Sequence, residues 1–102
     1  MDPDEFLVLT RKGLEFVKRW FFDRGRVPSE LTREYQLLLH ICCFEGLMKY
    51  EILKEIGYND STIAKALREK LVTISKDGSE LEEGVKAEIV KTVEKPHDSV
   101  YA

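Results

Sequence analysis

Between Tyr50 and Arg68 the chain reads YEILKEIGYNDSTIAKALR, and two apolar stripes of helical spacing separated by a glycine leave few ways to fold it. Ile52, Leu53 and Ile56 recur at the three- and four-residue spacing of an amphipathic helix. Gly57 follows where the helix must stop and turn, and glycine takes positive φ without penalty. Asn59, Asp60 or Ser61 can cap a second helix, whose apolar stripe is Ile63, Ala66 and Leu67. The pattern predicts two short helices joined by a tight turn.

Length limits what can surround this pair. A chain of 102 residues has room for one hydrophobic core but not for two lobes with a cleft between them. Its composition, 43% apolar and 34% charged, is that of a soluble globular protein. No apolar run approaches the ~20 residues needed to cross a bilayer. The N-terminus, Met-Asp-Pro-Asp-Glu, is acidic where a secretory signal would be basic. No membrane partner and a cytoplasmic location are therefore expected. Gln36 and Asn59 are the only amide side chains, and scarce amides beside abundant Lys and Glu are a thermophile tendency.

The cysteines, Cys42 and Cys43, are adjacent. Neighbours on a helix point about 100° apart, so a bridge between them would be distorted. No nearby Cys or His pair completes a zinc site, and His40 sits at poor ligand spacing. Small apolar residues in a reducing compartment are the expected reading, with no metal and no cofactor. No paired Ser and His, Gly-rich phosphate loop or paired-carboxylate spacing is present, so a non-catalytic role is expected.

Elsewhere the pattern is mostly helical. Phe6 to Leu9 fits either a strand or a helix start. Thr10 can cap a helix to about Arg24, with Leu14, Val17, Trp20 and Phe21 on one face. Gly25, Val27 and Pro28 break it. From Ser29 or Thr32 to Phe44 the chain is apolar enough to be the buried centre, and Glu45-Gly46 ends that helix. Leu71 to Ser75 is β-branched, and Asp77-Gly78 predicts a hairpin returning through Ser79 to Glu82. Glu83 to Glu94 fits a helix through Val85, Ile89, Val90 and Val93, or a strand through Val85, Ala87 and Ile89. Pro96 to Ala102 has no pattern.

Three helices followed by a hairpin, the last two helices forming a helix-turn-helix, is an order that resembles the winged helix-turn-helix superfamily. The resemblance runs from Leu31 to about Glu94: Arg33 to Phe44, Met48 to Ile56 and Asp60 to Lys70 would be its helices, and Leu71 to Glu82 its wing. Leu53 stands where such motifs usually carry alanine. Leu81-Glu-Glu-Gly84 is similar to a shortened form of the Leu-Thr-x-x-Gly punctuation that links a wing to a following helix. Leu9-Thr-Arg-Lys-Gly13 matches that punctuation fully, at the opposite end of the chain. The expected fold is mainly α with a small β-hairpin: a helical extension over 1-28, a winged-helix domain over 29-95 and a flexible tail over 96-102.

The resemblance implies sequence-specific binding of double-stranded DNA, as in a transcriptional regulator, with a protein-contact adaptor as the alternative. A recognition helix needs exposed side chains for the major groove and cations for phosphate. Asn59, Ser61, Thr62, Lys65 and Arg68 are its candidates, and Lys76 at the hairpin tip is the wing's. Phe16, Val17, Trp20 and Phe21 offer an apolar face on which a homodimer could form. The net charge of −3 runs against DNA binding. Arg11, Lys12, Lys18, Arg19, Arg24 and Arg26 gather near the N-terminus, away from the Glu80 to Glu94 acids, so a polarised surface is one expectation and local pairing with Glu15 and Asp23 the other.

Overall fold

The computed structural model describes residues 2–22 and 26–91. Phe6–Leu9 forms a strand, β1. Leu7, Val8 and Leu9 are all buried although successive strand residues point to opposite faces, so both faces of β1 are covered. β1 is the middle strand of a three-stranded antiparallel sheet, between β2 (Leu47–Lys49) and β3 (Val72–Ser75). The register sets Leu7 between Met48 and Ile74, and Leu9 beside Val72.

Thr10 turns the chain from β1 into α1 (Arg11–Phe22). Its hydroxyl oxygen accepts the Gly13 N–H at 3.0 Å and its proton faces the carbonyls of Lys70 and Leu71, at 2.7 and 3.0 Å. This cap ties the start of α1 to the chain entering β3. Gly13 makes the approach possible: a Cβ there would stand 2.1 Å from the Leu71 carbonyl oxygen.

A 3-10 turn (Ser29–Leu31) leads into α2 (Thr32–Cys43), in which Leu37, Leu38 and Ile41 are fully buried. Cys42 is buried and Cys43 exposed, both as free thiols. Burial first, and then the neighbouring Cys43, pushes the Cys42 thiol up to about 11, which suits an apolar filler rather than a nucleophile. After β2 come α3 (Tyr50–Ile56) and α4 (Asp60–Arg68), and after β3 a helix over residues 83–91, α5. Within α5, Val85 and Ile89 are buried one turn apart while Ala87 between them is exposed, a pattern that fits a helix and not a strand, in which all three would share a face.

Three helices end with the same closure. An N–H beyond each helix bonds back five residues: Gly46 to Ile41, Tyr58 to Leu53 and Leu71 to Ala66, at 2.9, 3.1 and 3.0 Å. Each closure passes through a positive φ, at Glu45 (65°), Gly57 (121°) and Lys70 (62°). Gly46, Tyr58 and Leu71 are buried, so each of these three helix ends turns the chain back into the core.

The fold is mainly helical with a small antiparallel sheet, but several details differ from the sequence reading. The return strand expected over Ser79 to Glu82 does not form; that stretch is turn and coil, and β3 pairs with β1. The two-residue hairpin turn needs positive φ at both Asp77 and Gly78, and only Gly78 has it, at 82°. Ser75 Oγ instead accepts the N–H groups of Gly78 and Glu80, and Asp77 Oδ1 accepts that of Ser79, so side chains capture amides that a ladder would need. Met48 lies in β2, because its buried side chain belongs to the row through Leu7, and the helix begins at Tyr50. The second motif helix stops at Arg68, ahead of the positive φ at Lys70.

The boundary expected at residue 28 does not divide the core. Leu7 and Leu14 belong to the same buried cluster as Leu38, Leu53, Ile63 and Ile89. The tail over 96-102 and the last residues of the Glu83 to Glu94 segment lie outside the described residues.

Gly13→Ala should destabilise the fold by about 2 kcal/mol or more, since the added methyl meets backbone rather than a movable side chain. The measurement is the urea midpoint. An unchanged midpoint would mean that α1 does not sit against the Leu71 carbonyl.

Candidate nucleic-acid interface

The α3–α4 pair is built around its turn. Leu53, fully buried, anchors α3 while Ile52 and Ile56 face outward, 41% and 45% exposed. Gly57 donates to the carbonyls of Leu53 and Lys54, and no heavy atom lies within 4 Å of where its Cβ would be. Its requirement is thus purely conformational. Tyr58 then plunges inward, with its hydroxyl 2.8 Å from His40 Nδ1 and the Arg33 guanidinium 5.7 Å from its ring centre.

Asn59 caps α4, and its Oδ1 gathers three donors: the Thr62 N–H at 2.9 Å and the hydroxyls of Thr62 and Ser61, both at 2.8 Å. This arrangement corrects the expectation for Thr62, which is buried with its hydroxyl committed to the cap and cannot reach a base edge. Asn59 and Ser61 remain exposed at the helix N-terminus. Asp60, in the first turn, accepts from the Tyr50 hydroxyl and sits 3.0 Å from Lys54 Nζ. The Tyr50 hydrogen bond, followed by Lys54, holds the Asp60 carboxyl below its usual range.

Lys65 also has a different role from the one expected. Its Nζ donates to the Glu30 carbonyl at 3.0 Å and lies 3.7 Å from Glu34 Oε1, clamping α4 to the entry of α2. Glu34 is buried and its other oxygen, Oε2, has no hydrogen-bond partner among the described residues. Glu34 was legible in principle, since it precedes Leu37, Leu38 and Ile41 on the buried face of α2 by one helical turn.

What faces outward along α4 is Asp60, Ala64 and Arg68, spaced four apart, with Ser61 beside them. Arg68 is exposed and makes no ion pair among the described residues. Lys76 is exposed too but shares a hollow with Asp2, Asp4 and Glu5, a setting that repels phosphate. Two of the N-terminal bases pair with acids distant in sequence: Arg11 lies 4.0 Å from Glu82 and 3.5 Å from Glu88, which also meets Lys18 at 3.5 Å. Two acids beyond β3 therefore fold onto Arg11 and Lys18, while Lys12 Nζ donates to the Glu69 carbonyl at 2.9 Å; among the described residues none of these three bases pairs with Glu15, and Asp23 and Arg24 lie outside them.

The aromatic face of α1 is used largely within the chain. Val17 is buried, and Phe16 packs on the core with Trp20 and Tyr35 at ring distances of 6.2 and 6.4 Å. Trp20 is half-buried, with the Arg19 guanidinium 5.0 Å from its ring centre. This corrects the dimer surface expected at Phe16 and Val17; the side chain of Phe21 lies outside the described residues. Among the described residues no three His, Cys, Asp or Glu side chains gather as a metal site, and no helix is long and apolar enough to cross a membrane.

Comparison with known proteins finds no matching family model, no matching curated protein and no matching solved structure.

Three outcomes follow for the site. Gly57→Ala should cost about 1–2 kcal/mol through backbone strain alone, read from chemical denaturation. Lys65→Ala should cost about 2 kcal/mol by leaving Glu34 buried and uncompensated, and adding Glu34→Gln should recover part of the loss. Because Asp60 is depressed in the fold, its contribution is present above about pH 4 and is lost as pH falls through the folded value. Tyr50→Phe should shrink that acid loss in a pH series of melting curves, and an unaltered acid limb would refute the assignment.

Proposed function

We propose that this chain binds double-stranded DNA as a transcriptional regulator of the winged helix-turn-helix class, with α4 entering the major groove. The observation that carries the reading is the two-sided character of α4. Thr62, Ile63 and Ala66 anchor one side, while the other offers Ser61 at the N-terminus, a small Ala64 in the middle and, at Arg68, an exposed cation with no ion-pair partner among the described residues. A small residue at the centre of the outer face lets the helix axis approach base edges closely, and Arg68 can pair with guanine or with phosphate. Asn59 and Ser61 supply short polar groups at the end that leads into the groove.

The sheet supports the class in an altered chain order. β1 fills the place beside β3 that a wing's return strand would take, and Leu9-Thr10 to Gly13 then carries the chain from that strand into α1. The punctuation expected after a wing thus works at the N-terminus. Neither Lys65 nor Lys76 belongs to the proposed DNA surface, since one clamps α4 and the other sits among acids. The role is one of binding without catalysis.

Fluorescence anisotropy with labelled duplexes at several salt concentrations tests the reading. The logarithm of the binding constant should fall linearly with the logarithm of salt concentration, and Arg68→Ala should cost about 1–3 kcal/mol of binding free energy. Arg68→Glu should abolish binding while the melting curve stays that of the parent. The exposed Ile52 and Ile56 on α3 favour a second reading, an adaptor that uses this fold for protein contacts. Absence of duplex binding at low salt would give that reading precedence.

A further inference from the structure

A hollow of about 400 Å³ runs along the outer side of α2, lined by Gln36, Leu39, His40, Cys43 and Tyr58. Arg33, Gln36, His40 and Cys43 succeed one another at three- and four-residue spacing, so they form one stripe down the helix. The hollow is shallow and mostly apolar, which suits a protein surface better than an enclosed small ligand. Phe44, at 56% the most exposed large apolar side chain among the described residues, stands at its C-terminal rim with its ring stacked on His40 at 6.3 Å. Opposite charges mark the two ends: Arg33, exposed at the start of α2, and Glu45, exposed just past its end.

We infer that this stripe joins two copies of the chain about a twofold axis, with the two α2 helices antiparallel. The chemistry is self-complementary. An antiparallel pairing that sets Gln36 of one copy opposite Cys43 of the other also sets Leu39 opposite His40. It brings each Arg33 beside Glu45 of the second copy, at both ends of the seam. Each Phe44 then reaches the Gln36 end of the other copy's hollow, so an exposed ring on one copy fills an empty groove on the other. A twofold contact repeats every such interaction, so one matched pair of charges counts twice. The surface is distinct from the α1 face, whose Phe16 and Val17 are engaged within the chain.

The same geometry makes a prediction about thiols. With Cys43 opposite Gln36, the two Cys43 residues are displaced along the helices by about seven residues, roughly 10 Å. That exceeds the Cα separation a disulfide allows, so the native chain does not cross-link itself. In Gln36→Cys, by contrast, the new thiol faces the native Cys43 of the second copy.

Sedimentation equilibrium and mild oxidation test the seam without reference to DNA, so its failure leaves the DNA reading standing. The native chain should show a monomer–dimer equilibrium below about 1 mM. Arg33→Glu and Glu45→Arg should each weaken association by about tenfold or more, and the two together should restore it. Oxidised Gln36→Cys should run as a covalent dimer, whereas the native chain should not. The inference is overturned if the native chain is monomeric throughout that range, if the double reversal associates no better than the single ones, or if Gln36→Cys fails to cross-link. Gln36 is exposed, so that variant keeps the core intact.

Discussion

The pairing of β1 with strands on both sides is the constraint on which the rest of the structure depends. β2 and β3 do not touch each other in the sheet; each is held by β1 alone. β2 delivers the chain to α3, and β3 receives it from α4, so the strand at the N-terminus sets both ends of the helix-turn-helix. Leu7 and Leu9 carry this role into the core, where burying each stabilises the fold by about 1.5–3 kcal/mol. Thr10 then ties the same strand to the carbonyls of Lys70 and Leu71 at the exit of α4.

The helices were legible because their signals are local. The apolar stripes of Leu37, Leu38 and Ile41 and of Ile63 and Ala66 are buried as their spacing requires, Gly57 holds the positive φ of the turn, and Thr10 and Asn59 are caps. The sheet was not legible, because its pairings join residues far apart in sequence. Nothing within Leu71 to Glu82 reveals that β3 pairs with Phe6–Leu9 rather than with a return strand, and nothing near Met48 reveals that Leu7 lies opposite. The positive φ values at Glu45 and Lys70 were likewise hidden, since neither residue type favours them.

The buried and exposed faces of α4 were legible, and the engagements of its polar side chains were not. Periodicity separates the buried face of α4 from the exposed one, but it cannot say whether an exposed polar group is free. Thr62 is drawn into the Asn59 cap and Lys65 into the Glu30–Glu34 clamp, so two of the residues expected to meet DNA hold the fold instead. Charge behaves in the same way. Glu82 and Glu88, distant in sequence from Arg11 and Lys18, neutralise them across the interface of α5 and α1. The net charge of −3 is therefore a poor guide to the local field at α4, where Asp60 pairs with Lys54 and Arg68 has no ion-pair partner among the described residues.

The central claim is that β1 is integral to the unit that presents α3 and α4, and native-state hydrogen exchange addresses it most directly. The account predicts that the ladder amides of β1, including that of Leu9, which bonds the Gly46 carbonyl at 2.8 Å, exchange only through global unfolding. Their protection should match that of the Leu38 and Ile41 amides in α2. Exchange of β1 through a lower-energy opening that leaves α2 and α4 protected would show that the N-terminal strand is an accessory, and would contradict the account.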